Sequence, residues 1–133
     1  LKTLFLHLNK IQMQVLVAIF LGGGLGSVSR YALSRSVTSN FTDINPMGTF
    51  LANLASTLIL ALILFLSASR GGMSHTAKAL LIVGFCGGFS TFSTFSYETF
   101  ELLRMGNYTI AIANIIVSLL LGVGVLFILA KNI

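Results

Sequence analysis

Apolar residues run almost unbroken through four stretches of this chain, about Val15–Leu33, Met47–Leu66, Ala77–Leu103 and Tyr108–Ala130. Each is close to or beyond the roughly 20 residues that a helix needs to cross the hydrocarbon of a bilayer. The segments between them, Ser34–Asn45, Ser67–Thr76 and Arg104–Asn107, carry Gly, Ser, Asn or charge. A backbone in hydrocarbon must satisfy its own N–H and C=O groups, so each stretch is predicted to be a helix. No alternating pattern of about ten residues points to a transmembrane barrel. The helix ends are marked where expected, by Pro46 before the second stretch, Gly71 and Gly72 after it, and Gly106 after the third. The pattern predicts an all-α membrane protein of four transmembrane helices, with residues 13–133 as a single domain. Residues 1–12 are read as an N-terminal extension, poorly ordered or interfacial; Leu1–Leu8 has no small-residue cleavage site after it.

The third stretch departs from the others. Gly84, Gly87 and Gly88 are followed by a run of hydroxyls from Ser90 to Thr99. Paired glycines and dense hydroxyls suit a helix that is broken or unwound inside protein rather than one facing lipid. An unwound point at Gly87–Gly88 would present backbone carbonyls, which coordinate cations. Glycines are also frequent in the first span (Gly22, Gly23, Gly24, Gly26) and the fourth (Gly122, Gly124), and permit close helix approach, within the chain or between two copies.

Composition agrees with lipid as the solvent. Of 133 residues, 56% are hydrophobic and 8% charged, against about 25% charged in ordinary soluble domains. The net charge of +5 comes from basic residues scattered between apolar runs, which fits headgroup anchoring and not nucleic acid. Counted from Met13 in a four-span topology, one side has Arg70, Lys78 and Lys131 and the other Arg30, Arg35 and Arg104. Such balance sets no orientation under the positive-inside rule, so two copies could insert oppositely and pair antiparallel.

The chemistry available is sparse. Asp43, Glu98 and Glu101 are the only acids, His7 and His75 are far apart and near predicted helix ends, and Cys86 is alone. These form neither a catalytic set nor a metal-ligand spacing, so the chain is not expected to be an enzyme. No acid is placed deep in a span, unlike a proton-coupled cation exporter. The interior instead offers neutral donors: Asn53, Ser56 and Thr57 in the second span, the hydroxyl run in the third, and Asn114 and Ser118 one turn apart in the fourth. Neutral donors can replace the hydration of a small anion without holding it too tightly to leave. Each hydroxyl could instead bond to a carbonyl one turn earlier, and Asn53 could make an interhelix bond. Phe89, Phe92 and Phe95 recur every three residues; their positive ring edges could touch an anion, or the stripe could be plain packing.

The string Gly84-Phe85-Cys86-Gly87-Gly88-Phe89-Ser90-Thr91-Phe92-Ser93-Thr94-Phe95-Ser96, followed by Glu98, resembles the third-helix signature of the CrcB/Fluc family of fluoride channels. Gly22-Gly23-Gly24, Gly26, Arg30 and Tyr31 are similar to that family's first-helix pattern, and Pro46, Gly48, Thr49 and Asn53 to its second. The resemblance runs from about Met13 to the C-terminus. It implies an antiparallel, dual-topology homodimer in the plasma membrane (the bacterial inner membrane), passing fluoride passively and selectively to relieve its toxicity. It further implies a structural sodium ion on the backbone carbonyls of Gly87 and Ser90 from both subunits. Phe92, Phe95 and Asn53 would line the fluoride route, with Ser93 and Thr94 close by, Thr49 and Ser118 as further candidates, and Arg30 near a vestibule. Ser90 stands where the family usually has threonine, a change that keeps the carbonyl. Two other readings compete: a proton-coupled fluoride transporter, and an assembly protein without transport.

Overall fold

The computed structural model describes residues 2–38, 45–69 and 71–131, with the backbone alone for residues 2–9 and 130. Asp43, Arg70 and the side chains of Lys2 and His7 lie outside the described residues. The elements are α1 (Lys2–Val37), α2 (Met47–Ser69), α3 (His75–Lys78), a π-helical stretch (Ala79–Cys86), α4 (Gly87–Phe89), α5 (Phe92–Arg104) and α6 (Tyr108–Ala130). Among the described residues, four segments are long and apolar enough to cross a membrane: Lys10–Val37, Met47–Ser69, His75–Arg104 and Tyr108–Leu129.

Local chemistry sets the ends. The Pro46 carbonyl accepts from the Phe50 amide (2.8 Å), opening α2, and the Met47 amide donates to Asn45 Oδ1 (3.0 Å). Ser74 caps α3 by accepting from the Ala77 amide. At the end of α5 the Gly106 amide donates to Leu103 and the Asn107 amide to Leu102, a Schellman closure. That closure needs a left-handed residue, and Gly106 supplies it with φ +80°.

Three features differ from the sequence expectation. α1 is helical from Lys2, so the first helix starts well ahead of the apolar stretch that opens at about Val15. The third span contains the π-helical stretch Ala79–Cys86, for which the apolar pattern gave no sign. The break falls at Ser90 and Thr91, both extended (φ −77°, ψ 159° and φ −153°, ψ 119°). Gly87 and Gly88 themselves form a helical turn. At Gly88 the absent side chain serves packing instead: a Cβ there would meet the Gly23 backbone, and one on Gly26 would collide with the Phe85 carbonyl.

Gly22, Gly23 and Gly26 of the first span are therefore used within the chain. Gly22 and Gly26 lie against the backbone from Leu80 to Phe89, and Gly84 lies 3.0 Å, Cβ position to Cα, from Gly22. α1 crosses the π-helical stretch and α4 at this seam, while α2 packs on α6 and α1, and α5 on α6. The buried positions are mostly small: Ala18, Ala52, Ala61, Ala79 and Ala111. Close backbone approach, not interlocking of large side chains, holds the bundle. Large apolar side chains face outward, Phe20 at 79% exposure and Leu120 at 68%, as expected where lipid or another chain is the neighbour.

Candidate functional site

The site grows from the break between α4 and α5. In an α-helix each amide bonds to the carbonyl four residues back. The Ser90 amide still does so, reaching the Cys86 carbonyl (3.0 Å). The Thr91 amide does not turn to Gly87; it donates to Asn53 Oδ1 (2.7 Å). The Thr94 amide does not turn to Ser90; it donates to Thr91 Oγ1 (3.2 Å), which caps α5. Two side-chain oxygens thus take the donors that would cover the Gly87 and Ser90 carbonyls in a continuous helix.

Other side chains hold the same segment. Asn53 Nδ2 donates to the Thr91 carbonyl (3.2 Å), so one amide grips both backbone groups of Thr91. Ser56, one turn along α2 and buried, donates to the Cys86 carbonyl (2.8 Å), as does the Ser90 hydroxyl (3.0 Å). From α1, Arg30 Nε donates to the Gly88 carbonyl (3.2 Å). The guanidinium expected near a vestibule is thus anchored on the turn before the break.

Beside the break is an open cleft of about 250 Å³ lined by Asn53, Thr57, Ser90, Thr91, Phe92, Phe95, Ser118 and Leu119. No lining side chain is charged. A smaller cavity of about 30 Å³ adjoins it, sharing Asn53, Thr57 and Ser118. That volume accommodates roughly one water-sized particle. Phe92 is 79% exposed, and its ring centroid lies 5.9 Å from that of Phe95, tilted 33°. Phe89, the third member of the stripe, is buried and packs with Phe85 instead.

The sequence-derived candidates therefore divide. Asn53, Phe92, Phe95 and Ser118 meet at the cleft, together with Ser90. Ser93 and Thr94 are adjacent in sequence but bond to Thr91 Oγ1, at 3.3 and 3.1 Å, and do not line the cleft. Thr49 lies elsewhere, donating to Glu98 Oε1 (2.8 Å). The second Glu98 oxygen is buried with no hydrogen-bond partner among the described residues. Thr57 and Ser96 bond back to the carbonyls of Asn53 and Phe92, the local alternative open to any helical hydroxyl. Ser118 donates to Asn114 Oδ1 at 3.4 Å, and Asn114 Nδ2 reaches Thr99 Oγ1 at 3.5 Å, both long contacts. The sequence reading gave no role to Thr91 as the cap of α5, although a Thr placed directly before a helical run is a recognised cap signal.

Residues 17–130 match the family described as CrcB-like protein, Camphor Resistance (CrcB). The chain belongs to the CrcB family. This CrcB-family chain is 41% identical over 111 residues to a protein of Phocaeicola vulgatus, covering 84% of the chain and 91% of the relative. It is 38% identical over 117 residues to one of Pyrococcus abyssi (88% and 94%) and 37% identical over 115 residues to one of Gloeothece citriformis (86% and 93%). All three relatives carry the name fluoride-specific ion channel FluC, that of a channel and not an enzyme. The family match spans every residue of the cleft and of the break in this CrcB-family chain.

Proposed function

We propose that the chain forms a fluoride-selective channel that lets fluoride leave the cell passively across the plasma membrane, the inner membrane of a bacterium. The observation that carries this reading is the convergence of Asn53, Phe92, Phe95 and Ser118 on one uncharged cleft beside a helix break within the spans. The names of its relatives agree with it.

The chemistry follows from the lining. A dehydrating fluoride ion needs hydrogen-bond donors, and a hydrogen bond to a charged partner is worth about 1.5–3 kcal/mol. The second hydrogen of the Asn53 amide is of this kind, the Ser118 hydroxyl becomes one on giving up its long contact to Asn114 Oδ1, and the rims of Phe92 and Phe95 offer positive ring edges. None adds a full charge, so the ion is stabilised without being trapped. Hydrofluoric acid enters as a neutral molecule from an acidic exterior and dissociates in a more alkaline interior. An inside-negative potential then acts on the anion by about 2.3 kcal/mol per 100 mV, which at equilibrium supports a roughly fifty-fold gradient. No second energy source is required.

The functional unit in this reading is an antiparallel homodimer. The balanced basic residues and the large apolar side chains left exposed on α1 and α6 support it. Sodium would be held by the Gly87 and Ser90 carbonyls of both copies. The donor set fits such an ion, because hard cations take oxygen ligands and the amides that would cover these two carbonyls bond elsewhere. When bound, the ion supplies a fixed positive charge that offsets the repulsion among the carbonyl lone pairs.

The test is fluoride efflux from liposomes holding the purified protein, read with a fluoride electrode under a potassium–valinomycin voltage. Voltage-driven fluoride release without chloride release, at a rate insensitive to a proton gradient, is expected. Release that requires a proton gradient would establish coupled transport instead. An intact protein without release would remove the channel reading.

A further inference from the structure

We infer that Asn53 and Thr91 are positioning residues for a cation site: by drawing two amides out of the helical ladder they keep the Gly87 and Ser90 carbonyls available. This deepens the sodium assignment above and rests on it.

The argument begins with the amides. An N–H inside a membrane protein must find an acceptor, because an unpaired one costs several kcal/mol. For Thr91 the default acceptor is the Gly87 carbonyl, and for Thr94 it is the Ser90 carbonyl, each four residues back. Both defaults are overridden by side-chain oxygens, Asn53 Oδ1 at 2.7 Å and Thr91 Oγ1 at 3.2 Å. These are the two backbone positions named for the cation, and no other amide at the break is captured by a side chain among the described residues. The capture is directional as well. Asn53 Nδ2 also holds the Thr91 carbonyl, fixing the peptide on both sides. The Thr91 hydroxyl reaches the Thr94 side chain (3.1 Å), which fixes its rotamer.

Removing either oxygen returns an amide to its default carbonyl. Loss of Asn53 Oδ1 sends the Thr91 N–H toward Gly87, and loss of Thr91 Oγ1 sends the Thr94 N–H toward Ser90. A carbonyl engaged in the ladder is a weaker and misdirected ligand, so cation affinity falls although no ligand atom has been removed. Asn53 then has two functions at once. Its Oδ1 sets the break, and the second hydrogen of its Nδ2 remains for the cleft.

The experiment measures thermal unfolding of the detergent-purified full chain across a series of sodium concentrations, with N-methyl-D-glucamine as the replacement cation. A ligand that binds only the folded state raises Tm as the logarithm of its concentration once that exceeds Kd, so the sodium concentration at which Tm begins to rise reports the affinity. Asn53→Leu and Thr91→Val each remove one capturing oxygen, so if one does not assemble the other decides. Each is expected to move the sodium concentration at which Tm begins to rise upward by tenfold or more. Thr91→Ser keeps the cap and should stay within about twofold of the unmodified chain. A role in folding alone would lower Tm equally at every sodium concentration and leave the onset of the rise fixed, which would overturn the inference while leaving the sodium site standing. A chain whose Tm does not respond to sodium would overturn the sodium site itself, and this inference with it.

Discussion

Asn53 is committed at both ends of its amide to the backbone of Thr91, yet it also lines the cleft with Phe92, Phe95 and Ser118. Its sequence position suggested two uses, an interhelix bond or a pore donor, and the geometry allows both at once. Ser118 carries less structural load, since its side chain's one hydrogen bond among the described residues is the long contact to Asn114. Ser118→Ala is accordingly expected to leave folding intact and to lower fluoride flux by about tenfold, one donor lost to a charged partner. Phe92→Ala and Phe95→Ala are expected to reduce flux as well. Electrode traces from liposomes with matched protein content check all three, and unchanged flux in each would remove the cleft from the pathway. The types of these residues, neutral donors and spaced Phe, were legible from the string alone. Their sorting was not, because it depends on which hydroxyl finds a nearby acceptor. Thr49 found Glu98 and Thr57 found its own helix, and no spacing rule distinguishes those outcomes from Ser118.

Among the elements, the third span was the most informative in the sequence and also the least completely read. Glycines beside a hydroxyl run announced a break, and a break is present. It lies at Ser90–Thr91, because Thr91 caps the following helix, while Gly87 and Gly88 stay helical and Gly88 serves the crossing with α1. The π-helical stretch Ala79–Cys86 was invisible because its residues are as apolar as those of any spanning helix. A π turn is defined by its hydrogen bonds, not by its composition. The crossing makes a sharp prediction. Gly26→Ala places a methyl against the Phe85 carbonyl, and such overpacking typically costs about 1–3 kcal/mol. Gly24→Ala, on the same helix, meets nothing within 4 Å and should stay within about 1 kcal/mol of the parent. Thermal unfolding of the two variants in one detergent should separate them clearly. Equal stability would mean that the seam between α1 and the third span is not close-packed.

For the whole molecule, four spans and their limits were read to within a few residues for α2 and α6, since Pro, Gly and polar loop residues adjoin them. α1 extends further back than its apolar run, as helical propensity does not end where hydropathy does. Orientation depends on charge balance, so adding basic residues to one side should show whether the chain inserts both ways. Two Lys placed after Lys131 are expected to drive nearly all copies into one orientation, read by a reporter fused to the C-terminus, and to depress fluoride flux. A reporter signal confined to one side before any change would argue against antiparallel pairing. α6 has a further consequence. It is the most apolar of the four spans and the least covered by its neighbours, with Leu120, Val123, Phe127 and Ile128 each about two-thirds exposed or more. Such a segment partitions into the bilayer without help from the rest of the bundle. Its entry during biosynthesis and its later docking are therefore separate events. A substitution that spoils docking should leave a fully inserted but unassembled chain, recognisable to membrane proteases and distinct from one that never entered.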